Sequence, residues 1–232
     1  LLNKVILVND FEAIGYGLDM LNLEKDTVKL KHISEDLTGG WTSGNTLAVI
    51  GAGTGLGMSI IPYDFSKHLH IPLPSEGGHI DYVPQNTFEL EMMDVVRMTL
   101  REKENHPELE RFLSDEGVIN IYNFLKSRKI CPETDVTRHV DSLQGIQKRD
   151  CIIQNCAKDE TCRRTIDIFM NIYARSARTL ALMSECYSGL FISGTSALKL
   201  IDRFNEKWFM QEFEKHDKKS VVLQKIPVYL LT

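Results

Sequence analysis

The stretch TLAVIGAGTGLGMSII covers residues 46–61 and decides how the chain is organised. Its apolar and β-branched residues predict a strand over residues 46–50 and a second strand over residues 58–61, with residues 51–57 as the loop between them. Dinucleotide-binding and phosphate-binding loops of the G-x-G-x-x-G and G-x-x-x-x-G-K-[ST] types lead from a strand into a helix, and this stretch has neither spacing. We therefore predict a β-hairpin with a glycine-rich loop.

Four glycines lie within the seven residues of this loop. One interpretation is an ordinary hairpin turn. The other is a phosphate-binding loop, because glycines let backbone N–H groups come close to a phosphate. Four glycines are more than a turn requires, so the composition of the loop favours phosphate binding.

Upstream of the hairpin, the sequence predicts a buried strand over residues 5–8 and then an amphipathic helix. The apolar residues that indicate the helix are Phe11, Ile14, Leu18 and Leu21. Asn9 and Asp10 lie between the two elements. A carboxylate at the end of a strand is well placed to act as a base, since α/β folds bind ligands there. An N-cap for the helix is the alternative, and spacing alone favours it.

Downstream of the hairpin, helices alternate with strands. Residues 63–87 are predicted to be rich in loops, and residues 24–45, which precede the hairpin, to be irregular. Ser114 is the predicted N-cap of a helix whose apolar face consists of Val118, Ile121, Tyr122 and Leu125. A long helix is predicted after Asp159, with an apolar face of Ile166, Phe169, Tyr173, Ala177 and Leu180. Further helices are predicted over 88–103 and 198–216, and strands over 190–192, 221–223 and 226–231. The predicted inward face of the first of these helices consists of Leu90, Met93, Val96 and Leu100. Strands mixed with long helices indicate an α/β fold.

Three titratable side chains surround a glycine pair in the segment EGGHID, residues 76–81. Glu76, His79 and Asp81 suit hydrogen bonds to a polyhydroxylated ligand, because carboxylates accept from hydroxyls and a neutral imidazole donates or accepts. A polar loop without a ligand is an equal alternative.

For three other side chains, the sequence pattern favours a structural role over a functional one. Glu110 follows Pro107, which is expected to begin a short element, and an acid in a first helical turn is stabilised by the helix dipole. His68 and His70 could pair as metal ligands on one strand, but two exposed histidines are the expectation.

Composition excludes several classes of protein. The 232 residues include 27 Lys and Arg against 32 Asp and Glu, a net charge of −5, and a general nucleic-acid-binding protein would instead be basic. No apolar run approaches the length of a membrane helix. The five cysteines are odd in number and lack the spacing of zinc ligands, so reduced thiols in a cytoplasmic protein are expected.

Several segments, taken together and in order, resemble the bacterial-type glucokinases of the actin-like, hexokinase-like sugar kinase superfamily. The matching segments are LVNDF (7–11), GAGTGLG (51–57), LPSEGGHID (73–81), ERFLS (110–114), CRR (162–164), LFISG (190–194) and IPVYL (226–230). The resemblance implies an actin-like ATPase (ribonuclease H-like) sugar kinase fold, with a mixed sheet and flanking helices. It also implies phosphorylation of glucose to glucose 6-phosphate with ATP and Mg²⁺.

The resemblance assigns roles to individual residues. Asp10 would be the base that accepts the proton of the glucose 6-hydroxyl. The other side chains that would hold sugar hydroxyls are Asn9, Glu76, His79 and Glu110. The residues that would contact ATP are Gly51, Gly53, Thr54, Gly55 and Gly194. No metal ligand is implied within residues 1–232. A homodimer through the large domain is implied, and neither nucleic acid nor a membrane is expected as a partner.

The resemblance also sets expectations for the domains. Residues 1–20 would be the C-terminal part of a small domain, and residues 21–232 would be a large domain without its C-terminal helix. The family motif D-x-G-G-T would precede Leu1, so we expect a fragment that lacks most of the small domain and is poorly active. Thr195 replaces the second glycine of the family's adenosine motif. A catalytically silent sugar-binding or regulatory relative is therefore the alternative to a kinase.

Overall fold

The computed structural model describes residues 8–30, 45–100, 106–204 and 206–232, and a five-stranded sheet forms its centre. The strands of the described ranges are β1 (Thr27–Lys29), β2 (Leu47–Ala52), β3 (Leu56–Ile61), β4 (Tyr63–Asp64), β5 (Leu69–His70), β6 (Gly189–Ser193) and β7 (Val228–Leu231). The order in the large sheet is β1-β7-β6-β2-β3, and β4 pairs with β5 separately. β2, β6 and β7 are parallel, so their carboxyl ends lie at one edge.

The hairpin predicted from residues 46–61 is confirmed, with a shorter loop than expected. β2 and β3 are antiparallel, and their ladder includes the pairs Gly51–Gly57 and Ala52–Leu56. Only residues 53–55 form the turn. The turn projects from the edge at which the parallel strands end.

Eleven helices are present in the described ranges, and most of them cover one face of the sheet. They are α1 (Asp10–Leu18), α2 (Leu23–Asp26), α3 (Thr87–Thr99), α4 (Asp115–Ser127), α5 (Asp135–Asp141), α6 (Gly145–Gln154), α7 (Glu160–Ser184), α8 (Thr195–Lys199), α9 (Ile201–Phe204), α10 (Lys207–Glu214) and α11 (Ser220–Leu223).

The two faces of the sheet belong to two separate apolar clusters. Side chains alternate along a strand, so Leu47 and Val49 face α1 in the smaller cluster, while Ala48 and Ile50 face the larger one. The larger cluster contains the buried side of α7. This pattern places α1 on one face of the sheet and the main helical layer on the other.

Two helices match their predictions closely. Ser114 caps α4, where its Oγ accepts from the backbone N–H of Gly117, and Asp159 caps α7, where its side chain accepts from the N–H of Cys162. The predicted apolar faces of both helices are buried. α7 packs against both α4 and β2, so it connects the helical layer to the sheet.

The predicted inward face of the 88–103 segment is confirmed at Val96, which is buried, and at Met93, which packs against the core, but it is wrong at Leu90. Leu90 is 46% exposed, whereas Met92 and Glu89 are buried. The Glu89 carboxylate accepts from the Tyr82 hydroxyl at 2.8 Å and forms an ion pair with Arg175 at 3.0 Å. The inward face of α3 therefore includes a paired carboxylate, which apolar spacing could not indicate. α3 ends at Thr99, and residues 101–105 lie outside the described ranges.

Other segments also differ from prediction. Residues 221–223 belong to helix α11 instead of a strand, and the 198–216 helix is broken into parts of α8, α9 and α10. Residues 24–45, expected to be irregular, include parts of α2 and all of β1, although 31–44 lie outside the described ranges. Of the predicted 5–8 strand, only Val8 is described, and it is exposed and in no strand. α5 and α6 were not predicted.

Two expectations from composition can be compared with the structure. All five cysteines are free, as expected for reduced thiols. In the part of the chain that the structure describes, each helix is too short or too polar to cross a bilayer.

Candidate active site

The turn between β2 and β3 is held by backbone hydrogen bonds. The N–H of Gly53 donates to the carbonyl of Gly55 at 2.8 Å, and the carbonyl of Gly53 accepts from the N–H of Asp115 at 2.7 Å. Asp115 is the first residue of α4, so the start of that helix is tied to the turn. Thr54, at the tip, is exposed.

Gly51 and Gly57 have a packing role that the sequence did not indicate. A Cβ atom on Gly57 would overlap the ring of Phe11, and one on Gly51 would lie 2.7 Å from Cζ of the same ring. The paired glycines therefore make room for an aromatic side chain of α1. Their presence does not require a phosphate, so the excess of glycines supports phosphate binding only at Gly53 and Gly55. Gly51 as an ATP contact stays a prediction.

Phe11 connects the start of α1 with this edge of the sheet. Asn9 is the N-cap of α1, because its Oδ1 accepts from the N–H groups of Phe11 and Glu12 at 2.9 and 3.3 Å. The N-cap alternative is thus confirmed for Asn9. Asp10 is the first residue of α1 and is exposed, and one of its carboxylate oxygens accepts from the N–H of Phe11. Both side chains thus bond to the backbone of the residue whose ring covers the glycine pair.

Glu110 contacts the glycine turn directly. Its Oε2 accepts from the N–H of Leu56 at 2.9 Å, and a Cβ atom on Gly55 would lie 2.7 Å from the same oxygen. Glu110 belongs to a single 3-10 turn over Leu109–Arg111, and Pro107 precedes this turn instead of beginning it. The carboxylate thus contacts a backbone N–H of another element, which sequence spacing could not indicate.

The glycine pair of the EGGHID segment is also required by packing. Residues Gly77–His79 form a 3-10 turn, and a Cβ atom on Gly78 would overlap the carbonyl of Leu56. Close approach of this turn to the start of β3 brings His79 to the same edge as Glu110. Glu76, which precedes the turn, has a side chain that is 82% exposed.

His79 lies within a group of carboxylates. Its Nδ1 is 2.8 Å from Oε2 of Glu108, and its Nε2 is 3.7 Å from Oε2 of Glu76. The hydrogen bond to Glu108 raises the pKa of His79 above its ordinary value, and the negative charges of Glu108, Glu110 and Glu76 act in the same direction. Glu108 was not among the residues predicted for the site. Its position two residues before Glu110 was the available signal.

The turn that follows β6 lies at the same edge of the sheet as the glycine turn between β2 and β3. Gly194 has a φ of +100°, and a Cβ atom there would overlap the carbonyl of Ala52. A glycine is therefore required at this position. A Cβ atom on Gly53 would lie 3.6 Å from Oγ1 of Thr195, so the two turns lie side by side.

A buried tyrosine supports the two turns from the helical side. The hydroxyl of Tyr173, on α7, accepts from the N–H of Ala52 at 3.2 Å and donates to the carbonyl of Ser193 at 3.1 Å. These bonds join the ends of β2 and β6, the two strands that lead into the turns.

A cavity of about 740 Å³ opens beside the glycine turn. Its polar lining residues include Thr54, Asp115, Glu116, Asn120 and Asn123. The cavity is large enough for a nucleoside-sized ligand, and amide and carboxylate side chains offer hydrogen bonds to the edge of a base or to ribose hydroxyls.

The His68–His70 pair is not arranged as a metal site, and the expectation of two exposed histidines is wrong for His70. His70 is buried, with Nδ1 2.5 Å from Oδ1 of Asp19 and Nε2 2.9 Å from the carbonyl of Asn45. His68 is exposed in the β4–β5 turn. Within the described ranges, no group of three or more His, Cys, Asp or Glu side chains is arranged to hold a metal ion.

Comparison with known proteins gives consistent matches. A glucokinase of Tolumonas auensis is 31% identical over 233 residues, an alignment that covers 100% of this chain and 65% of the relative. A solved glucokinase from an Antarctic psychrotroph matches with a TM-score of 0.75 and 24% identity, over 97% of this chain and 63% of that one. A Balamuthia mandrillaris glucokinase solved in complex with glucose matches with a TM-score of 0.77 and 20% identity, over 97% and 61%.

The structural likenesses show that the chain shares the α/β fold of these glucokinases, as the sequence resemblance implied. The chain spans less than two thirds of the length of the Tolumonas relative. One family profile, described as glucokinase, matches residues 1–232. Since this match covers the whole sequence, the chain belongs to the glucokinase family.

Proposed function

We propose that the protein phosphorylates glucose at its 6-hydroxyl with ATP as the phosphoryl donor. The observation that carries the proposal is the hydrogen bond between Glu110 and Leu56. This bond joins the Glu110 carboxylate, a candidate ligand for sugar hydroxyls, to the residue that follows the 53–55 turn, the candidate phosphate-binding turn. Phosphoryl transfer depends mainly on alignment of the two reactants, and this bond holds the two candidate subsites together.

The sugar would be held by side chains that accept and donate hydrogen bonds. In this proposal Glu76, His79 and Glu110 bind hydroxyls, and Asn9 adds an amide at the start of α1. A carboxylate that accepts a hydroxyl proton assists attack on the phosphorus atom. Asp10 is our candidate for that base, because it is exposed beside Phe11 and its helix is seated on the glycine pair.

The donor would lie across the two turns. Gly53, Thr54 and Gly55 offer backbone close to the phosphates, and Gly194 approaches the nucleoside. Mg²⁺, when bound, neutralises charge on the transferred phosphoryl group. Mg²⁺ commonly binds through phosphates, waters and one or two carboxylates, so in this proposal the ion arrives with ATP.

Several finer assignments stay predictions. These are the division of the chain at residue 20, a homodimer through residues 21–232, and a cytoplasmic location. The alternative of a silent sugar-binding relative gains no support from the described residues, since the candidate donor turns and the candidate base occupy the same edge of the sheet.

A sugar panel tests the proposal. The full-length gene product is incubated with ATP, Mg²⁺ and glucose, mannose or fructose, and ADP release is followed with a coupled assay. Release that requires glucose, together with glucose 6-phosphate as product, is the expected result. Calorimetric binding of glucose without ADP release from any sugar would instead favour the silent relative.

A further inference from the structure

A buried ionic network joins three helices beneath the candidate donor site. The side chain of Arg149, on α6, is 1% exposed. Its Nη1 donates to Oδ1 of Asp115 at 2.7 Å and to Oγ of Ser196 at 3.0 Å. The Ser196 hydroxyl in turn donates to the same Asp115 oxygen at 2.7 Å. The three side chains thus form a closed triangle between α4, α6 and α8.

The network continues to a second carboxylate. Nε of Arg149 forms an ion pair with Oδ1 of Asp150 at 2.6 Å, without the geometry of a hydrogen bond. The same oxygen accepts a hydrogen bond from Nζ of Lys199 on α8. Two cations therefore face two anions, and the charges balance. Burying an ion pair costs desolvation energy, and such pairs often add little to stability compared with apolar side chains. Added stability therefore does not explain the buried guanidinium of Arg149. A role in fixing a specific geometry does.

Two of the three residues in the triangle, Asp115 and Ser196, are adjacent to the candidate donor turns. The backbone N–H of Asp115 donates to the carbonyl of Gly53 at 2.7 Å. Ser196 is preceded by Gly194 and Thr195, the turn that lies beside Gly53. One guanidinium therefore holds the residue that anchors the glycine turn and the residue that follows the second turn.

We propose that Arg149 is a positioning residue for the phosphoryl donor, because it fixes the spacing between the 53–55 turn and the 194–195 turn. The inference rests on the proposed function, in which both turns contact ATP. α8 has only five residues, and Ser196 in its first turn bonds to both Arg149 and Asp115. A donor that spans two turns binds best when their separation is set before it arrives.

Two variants of the full-length protein test the proposal. Ser196→Ala removes one corner of the triangle and leaves the Arg149–Asp115 ion pair. Arg149→Lys keeps the charge but cannot reproduce the forked contacts of a guanidinium. Ser176→Ala is the matched control, because this hydroxyl is also buried but donates within α7 to the carbonyl of Ile172. The measurements are the KM for ATP, the KM for glucose, and calorimetric binding of a non-hydrolysable ATP analogue.

We expect Ser196→Ala to weaken binding of the analogue and to raise the KM for ATP by about 3- to 10-fold, the effect of one hydrogen bond. The KM for glucose should stay unchanged, and Arg149→Lys should have the larger effect on ATP. Ser176→Ala should change neither KM. If Ser196→Ala lowers the melting temperature and leaves ATP affinity like that of the control, the network is only structural and the inference is wrong.

The same experiment separates this inference from the proposed function. A wild-type protein that binds the analogue but phosphorylates no sugar contradicts the proposed function, while the titrations of the two variants still decide the role of Arg149. A wild-type protein that binds no analogue contradicts both.

Discussion

Among the carboxylates around His79, Glu108 has the largest effect on its ionisation. The hydrogen bond between them raises the pKa of His79 above 6.5 because the carboxylate stabilises the protonated ring. A raised pKa in the folded protein stabilises the fold fully at a pH below the ordinary value, and this contribution is lost as the pH rises through the folded pKa. The Glu108–His79 pair therefore contributes to stability mainly in mildly acidic solution.

Glu108→Gln tests this coupling. We expect the variant to lower the pKa of His79, as measured by NMR titration of the imidazole. We also expect it to reduce the melting temperature more at about pH 5.5 than at about pH 8.5, on either side of the ordinary histidine pKa. Glu91→Gln is the control, since Glu91 pairs with Arg128 on a different surface. An unchanged His79 titration in Glu108→Gln would contradict the assigned hydrogen bond.

Gly57 is the residue at which packing leaves least room. A methyl group there overlaps the Phe11 ring, so Gly57→Ala must displace α1, the helix that begins at Asp10. We expect a loss of about 1–3 kcal/mol in the free energy of unfolding, typical of overpacking, together with reduced kinase activity. Chemical denaturation and the coupled assay measure the two effects.

Gly17→Ala is the matched control for this substitution. Gly17 lies within α1, and a Cβ atom there would meet nothing within 4 Å. We expect a gain of about 0.5–1 kcal/mol from the lower conformational entropy of the unfolded chain. A Gly57→Ala variant as stable as Gly17→Ala would show that Phe11 does not cover the glycine pair.

At the scale of secondary structure elements, Ser114 connects the start of α4 with the Glu110 turn. Its hydroxyl accepts from the N–H of Gly117 and donates to the carbonyl of Glu110 at 2.7 Å. Ser114→Ala should cost about 1 kcal/mol in stability, the usual effect of losing an N-cap. It should also raise the KM for glucose, because the 3-10 turn that carries Glu110 loses a contact.

Ser127→Ala is the control for the cap, since the Ser127 hydroxyl donates to a carbonyl at the other end of α4. Denaturation measures the stability of both variants, and the coupled assay measures both KM values. Equal stability of the two variants would contradict the capping role of Ser114. An unchanged KM for glucose in Ser114→Ala would show that the cap does not help to position Glu110.

The elements that could be predicted from sequence are those in which local signals agree. α4 and α7 combine an N-cap with a continuous apolar face, and the β2–β3 hairpin combines two apolar runs with glycines. The predictions that were wrong depended on tertiary contacts. The inward face of α3 includes Glu89, which is paired with Arg175 of a distant helix. Residues 221–223 are β-branched or apolar but form a helical turn, because strand propensity depends on context.

At the scale of the whole molecule, the candidate site is a set of turns from distant parts of the sequence. Parallel strands bring the ends of β2 and β6 to one edge, where α/β folds bind ligands. The family resemblance identified most of the candidate residues. It could not indicate that Glu110 bonds to Leu56, that Phe11 explains two of the glycines, or that Arg149 lies beneath the turns, since each contact depends on long-range packing.

Our central proposal is that the protein phosphorylates glucose at the site beside the carboxyl ends of β2 and β6, with Asp10 as the base. Turnover and glucose affinity, measured on full-length Asp10→Asn beside the wild type, test it most directly. Asparagine keeps the shape and an oxygen for the Phe11 N–H bond but cannot take up the hydroxyl proton. We predict that turnover falls by about 10²- to 10⁴-fold, with glucose binding by calorimetry within a few-fold of the wild type. Turnover close to that of the wild type, in a variant that binds glucose normally, would contradict the account.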